Sequence, residues 1–218
     1  MHLVVINASP RVEEKSNTAK IIRAFLRGYE KNGNTSEVWH LSDRKQWADA
    51  KESYDEHTNI LFALPLYVEN IPGIMLEFLE TLEPKKEKGT KLAFLLQGGF
   101  AEGCQLRCGE AYLEKLPSYF NCEYGGTLIK GDNFAPAWVP EDMAEKMVGQ
   151  YEKMGEYFAE NNHFDKEVVT NFAAPEYFSE KEIRKLKRMR WMQNAMFRYI
   201  AKRQGCKGPL DDKPYITK

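Results

Sequence analysis

Over the first 160 residues, short apolar runs alternate with longer stretches in which apolar positions recur every three or four residues. The runs occupy residues 2–7 (HLVVIN), 36–41 (SEVWHL), 59–66 (NILFALPL), 91–97 (KLAFLLQ) and 123–129 (EYGGTLI). Those at Ile60 and Leu92 are almost continuously apolar, as strands covered on both faces of a parallel sheet must be. Between them, residues 18–31 place Ile21, Ile22, Phe25, Leu26 and Tyr29 at helical spacing. Pro72 opens a second helix carrying Ile74, Met75, Phe78, Leu79 and Leu82, with proline where the first turn tolerates it. Residues 110–116 and 141–160 read as further helices, and the polar stretch 44–56 as a less amphipathic one. Five strands alternating with helices predict a doubly wound α/β fold with a five-stranded parallel sheet.

The pattern changes near Asn161-Asn162, which divides the chain into 1–162 and a C-terminal extension, 163–218. Residues 179–204 predict one helix. Ser179 stands at its N-cap, Glu182 at the capping-box position, and Gly205 just past its end. Charge follows the same division. Residues 1–162 hold 18 basic and 25 acidic side chains, a net of −7, whereas 163–218 hold 13 and 7, a net of +6. The extension is thus a basic amphipathic helix expected to pack on its own domain or on a twin subunit.

No run approaches the roughly 20 apolar residues that span a bilayer, and the start MHLVVINASPR reads as a buried strand rather than a leader. A cytoplasmic location follows, with membrane attachment and nucleic-acid binding not expected. Cys104, Cys108, Cys122 and Cys206 form no metal-ligand or CxxC spacing and read as reduced thiols. His2, His40, His57 and His163 are scattered and read as structural or solvated, so no metal is expected.

In doubly wound sheets, ligands bind beyond the carboxyl ends of the strands. Three loops there carry suitable chemistry. After the first strand, Ser9, Arg11, Ser16, Asn17 and Thr18 surround a helix start, where unpaired amides and a partial positive charge suit a phosphate. The loop is neither a Walker loop nor GxGxxG, and an ordinary N-capped helix would have the same composition. After the third strand come Pro65, Leu66, Tyr67 and Val68, which suit a flat apolar ligand or simple packing under the next helix. After the fourth, Gln97, Gly98, Gly99 and Phe100 open a loop whose glycines let backbone approach a ligand or simply make a turn.

At these residues the sequence resembles the flavodoxin-like NADPH-dependent FMN reductase family. The resemblance lies in SPRxxxxSNT from Ser9, PLYVENIPG from Pro65 and QGGFAEG from Gln97, and extends over roughly residues 1–160. It implies a flavodoxin-like sheet of order 2-1-3-4-5 with FMN bound at the strand ends. Ser9, Arg11, Ser16, Asn17 and Thr18 would hold the phosphate. Pro65, Leu66, Tyr67 and Val68 would line one side of the flavin, and Gln97, Gly98, Gly99 and Phe100 the other. It further implies NAD(P)H as co-substrate, a small electron acceptor such as a quinone or free flavin, and a homodimer. No catalytic side chain is required, since the flavin carries the redox chemistry. The alternative within the fold is an electron carrier or a non-enzymatic binding protein. The sequence departs from the family's pattern in the basic extension and in VEEK, which sets Glu13 and Glu14 inside the first loop.

Overall fold

A computed structural model describes residues 1–67, 69–209 and 211–213. Five strands, β1 (His2–Asn7), β2 (Thr35–His40), β3 (Asn59–Pro65), β4 (Lys91–Gln97) and β5 (Glu123–Lys130), form one sheet in the order β2-β1-β3-β4-β5. Every pairing is parallel. The chain therefore has the flavodoxin-like fold that the sequence led us to expect, with the strand order reversing between β1 and β3. β1, β3 and β4 are buried almost throughout, whereas the edge strand β2 is only half-buried at every position after Thr35.

β5 departs from regular pairing at its glycine pair. The register with β4 shifts between Leu92 and Phe94, and Gly126 adopts φ 87°. A Cβ on Gly126 would lie 2.4 Å from the Phe164 carbonyl, and Phe164 N–H donates to Gly125 O at 2.9 Å. A bulge here needs glycine both for its conformation and for this close approach.

The crossover helices are α1 (Asn17–Tyr29), α2 (Trp47–Glu56), α3 (Gly73–Leu79) and α4 (Arg107–Tyr119). α5 (Glu141–Val148), α6 (Gln150–Asn161) and α7 (Lys166–Ala173) follow β5. Residues 141–160, predicted as one helix, are thus two, interrupted at Gly149. Helices cover both faces of the sheet. α1 packs on α6 and α5, while α4 and α7 lie against β5.

The first compact unit runs from Met1 to Tyr177 and the second from Phe178 to Lys218. The change of pattern at Asn161-Asn162 thus falls inside the first unit. Phe164, Val169 and Ala173 join its hydrophobic core, so the chain continues on the sheet for one more helix. The second unit consists of α8 (Glu180–Arg188) and α9 (Arg190–Arg203) rather than one helix, with the break at Met189. The Ser179–Glu182 capping box forms as predicted, and Gly205 takes the left-handed conformation just past the end of α9. Among the described residues no helix is long and apolar enough to cross a membrane.

Candidate functional site

The first loop is ordered from below by Asn7, the last residue of β1. Its side chain is buried, and Oδ1 accepts the Ser9 amide at 3.1 Å. Nδ2 must then donate to His40 Nδ1, 3.0 Å away, which leaves the His40 Nε2 proton facing Glu13 Oε2 at 3.4 Å. Glu13 Oε1 faces Arg23 at 3.6 Å. The Glu13 carboxylate is therefore held by His40 and Arg23 and does not compete for the donors of the loop. Asn7 and His40 were not singled out from sequence; an Asn ending a strand two residues before a Ser is the signal of an Asx turn.

Glu13–Lys15 form a 3-10 turn that ends at Ser16, the N-cap of α1. Ser16 Oγ accepts the Ala19 amide at 3.2 Å and Ser9 Oγ accepts the Arg11 amide at 3.3 Å. Both hydroxyls keep their own proton to donate. Ser9, Ser16 and Thr18 are all buried, and Arg11 is exposed. The amides of Asn17 and Thr18 lie in the first turn, where a helix offers them no acceptor.

Asn17 behaves differently from its neighbours. Its Nδ2 donates to the Asn133 carbonyl at 2.6 Å, while its Oδ1 is buried with no hydrogen-bond partner among the described residues. The side chain thus ties the start of α1 to the loop after β5.

The loop after β5 is the component that sequence reasoning missed. Asn133 N–H donates to Gly98 O at 3.0 Å, and Asn133 Nδ2 reaches Gly131 O and the Tyr151 hydroxyl at 2.9 Å each. Tyr151 is fully buried, and burial pushes its pKa well above the ordinary tyrosine value. Asp132 N–H donates to Phe100 O at 2.9 Å, and a Cβ on Gly131 would fall 2.2 Å from that oxygen. The loops after β4 and β5 are thus zipped together, with Gly131 required by the contact. Phe134 and Trp138 pair at 5.8 Å on this loop, and Phe134 is partly exposed.

The other predicted residues divide. Gln97 is buried, and its Nε2 donates to Thr18 Oγ1 at 3.3 Å, which ties β4 to the first loop. Gly98 is buried against Leu106, where a Cβ would meet Cδ2 at 2.8 Å, so packing explains it. Gly99 is exposed, with only Phe134 Cβ near at 3.7 Å, and Phe100 is three-quarters exposed at 75%. Pro65 lies buried within β3, and Leu66 packs under α4, where a Cβ on Gly109 would come within 2.8 Å of it. Tyr67 is exposed and pairs with Asn70 through two backbone hydrogen bonds of 3.0 and 3.1 Å. Val68 lies outside the described residues.

A further staple closes the β4–α4 loop. Gly103 and Cys104 amides donate to the Pro175 and Glu176 carbonyls at 2.9 and 3.2 Å, and Arg107 binds the Glu176 carboxylate through Nε and Nη2. That guanidinium holds the Glu176 carboxyl below its ordinary pKa. Lys130 Nζ donates to Phe172 O and Ala174 O at 2.8 and 3.0 Å, and burial lowers its pKa.

Comparison with known proteins adds to this geometry. Residues 1–89 match a family model described as a flavodoxin-like fold. Solved structures similar to the chain include an FMN-dependent NADH-azoreductase from Bacillus anthracis in complex with FMN. It shows 14% identity and a TM-score of 0.54, with 73% of this chain and 100% of that one covered. An NAD(P)H:quinone oxidoreductase from Methanothermobacter marburgensis shows 16% identity and a TM-score of 0.55 over 76% and 98% of the two chains. General stress protein 14 from Treponema denticola, in complex with FMN, shows 14% and 0.53 over 73% and 98%. No curated protein sequence matches the chain. At these identities the likeness is one of fold, and it agrees with the resemblance carried by the three loops.

Proposed function

We propose that the chain is an FMN-dependent oxidoreductase that passes electrons from NAD(P)H to a small acceptor such as a quinone. The observation that carries this reading is the pair of buried hydroxyls at Ser16 and Thr18 at the start of α1, preceded in the same loop by the buried Ser9, with Glu13 held elsewhere by His40 and Arg23. Such a cradle of O–H donors and free amides fits a phosphate monoester. Asn17 would contribute its first-turn amide, since its side chain is turned to the Asn133 carbonyl. Open space at Gly99, flanked by Phe100 and Phe134, fits a ring that needs backbone close to it. Bound FMN supplies hydride acceptance from NAD(P)H and onward reduction of the acceptor. The protein's part is then to anchor the phosphate through Ser9, Ser16 and Thr18, with Arg11 offsetting its charge. Gly99, Phe100 and Tyr67, all exposed, would border the ring, with Phe134 of the loop after β5 beside Gly99.

The solved relatives support this reading, since two of them are named as NAD(P)H- or NADH-dependent reductases and two hold FMN. We also propose a cytoplasmic homodimer, in which the basic residues of 178–218 face the acidic surface of a second copy. The test is incubation with FMN, desalting, and steady-state NAD(P)H oxidation with a quinone or free flavin. Retained flavin colour with turnover is the expected result. Bound FMN without NAD(P)H oxidation would make the protein an electron carrier, and failure to retain FMN would leave only the fold.

A further inference from the structure

At the end of the sheet opposite to the loops, three side chains from three elements meet. His2 begins β1, Glu37 lies on β2 two residues beyond the partner of His2, and His57 caps the C-terminus of α2. One ligand atom from each lies within 4.8 Å of the other two. The imidazole rings sit 4.7 Å apart at 40°. All three residues are half-buried and none is fully enclosed.

The protons can be placed. His57 Nδ1 stands 3.1 Å from the Ser53 carbonyl, which can only accept, so Nδ1 carries the hydrogen and Nε2 keeps its lone pair. A ring nitrogen bound to a backbone carbonyl is the usual outer support of a metal-ligating histidine. His2 Nδ1 lies 2.8 Å from Thr35 Oγ1, a hydroxyl able to take the same role, which frees His2 Nε2. Glu37 Oε1 is buried and has no hydrogen-bond partner among the described residues, and His2 Nε2 lies 3.8 Å from it. A carboxylate oxygen removed from water without a partner is costly, and a cation between it and the two imidazoles would offset that cost.

We infer that His2, Glu37 and His57 form a site for a zinc-like divalent transition metal. Two imidazole nitrogens and one carboxylate oxygen suit Zn²⁺, whereas Ca²⁺ and Mg²⁺ prefer oxygen ligands alone. Tetrahedral Zn²⁺ with bonds near 2.0–2.2 Å places its ligands about 3.4 Å apart. The cluster must therefore contract by roughly 1.4 Å from its widest separation, which half-exposed side chains can do by rotation. Bound metal would fasten the start of β1, the half-exposed edge strand β2 and the end of α2 to one another. Its consequence is structural: it protects an edge strand and makes thermal stability depend on zinc.

The experiment is a calorimetric titration of the untagged full chain with Zn²⁺, together with NMR of the imidazole C–H signals. We expect 1:1 binding, a rise in Tm with zinc, and shifts in the signals of two of the four histidines, His2 and His57. Glu37→Gln and His57→Ala should each weaken binding at least about tenfold, or about 1.4 kcal/mol, and abolish the Tm rise. His163→Ala should bind as the native chain does. Zinc binding that survives the His2→Ala, His57→Ala pair, or a titration in which those two signals do not move, would overturn the assignment.

Discussion

Replacing Gly155 with alanine tests how closely the C-terminal half of α1 is held against α6. α1 and α6 approach so closely that a Cβ on Gly155 would lie 1.9 Å from Phe25 O and 2.8 Å from Tyr29 N. On the facing helix, a Cβ on Gly28 would lie 1.8 Å from Glu152 O. An ordinary carbon–oxygen contact is about 3.4 Å, so the helices must separate by roughly 1.5 Å at Gly155. The obstructing atom is a helix carbonyl, which cannot rotate away as a side chain could. Two effects oppose each other. Alanine in a helix interior is favoured over glycine by about 1 kcal/mol. Against this, a separation of 1.5 Å forfeits most of the dispersion attraction across the interface, where Phe25, Tyr29 and Phe158 pack ring to ring at 5.9 to 6.4 Å. Overpacking alone costs about 1–3 kcal/mol, and the loosened aromatic contacts add to it. We expect a net loss of about 3 kcal/mol, which for a unit of this size lowers Tm by about 6–12 °C. Thermal unfolding followed by circular dichroism measures it. Gly73→Ala, at the first position of α3 where a Cβ would meet nothing within 4 Å, serves as the control without steric conflict. A Gly155→Ala protein that lost no stability would show that the helices are not in backbone contact.

Three other predictions concern the site and the second unit. Ser16→Ala combined with Thr18→Ala should weaken FMN by about 100-fold or more, at about 1.5–3 kcal/mol per charge-assisted hydrogen bond, and riboflavin far less. Titration by flavin fluorescence distinguishes the two, and equal losses would place the phosphate elsewhere. The Glu176 carboxyl, held below its ordinary value by Arg107, stabilises the fold above the unfolded carboxylate pKa and loses that contribution as pH falls through the folded one. Glu176→Gln should accordingly flatten the acid limb of the stability profile in denaturant titrations, and an unchanged limb would show that Arg107 does not discriminate. Removing 178–218 should lower the mass seen in light scattering to about two-fifths, that of a single shortened chain, while leaving FMN affinity unchanged; a retained dimer would place the subunit contact on the first unit.

The chain by itself determined the sheet and the order in which strands and crossover helices alternate. Apolar runs such as those at Ile60 and Leu92 must be covered on both faces, and a parallel sheet with crossover helices is the arrangement that does so. Ser179 was legible as a helix cap because capping depends on a side chain and an amide three residues away, whereas Ser16 stood among several hydroxyls and only the structure singles it out as the cap of α1. Breaks at Gly149 and Met189 were not, since an apolar period continues across them and only packing selects two shorter helices. Tertiary structure alone decided which glycine leaves space. Gly98, Gly99 and Gly131 look alike in sequence, yet Leu106 fills the space beside the first, Phe100 O requires the third, and only Gly99 stays open. It alone brought Asn133 to Asn17 across 116 positions and His57 to His2 and Glu37. Those contacts depend on the register of β1 with its neighbours and on the lengths of the crossovers, which no local pattern records.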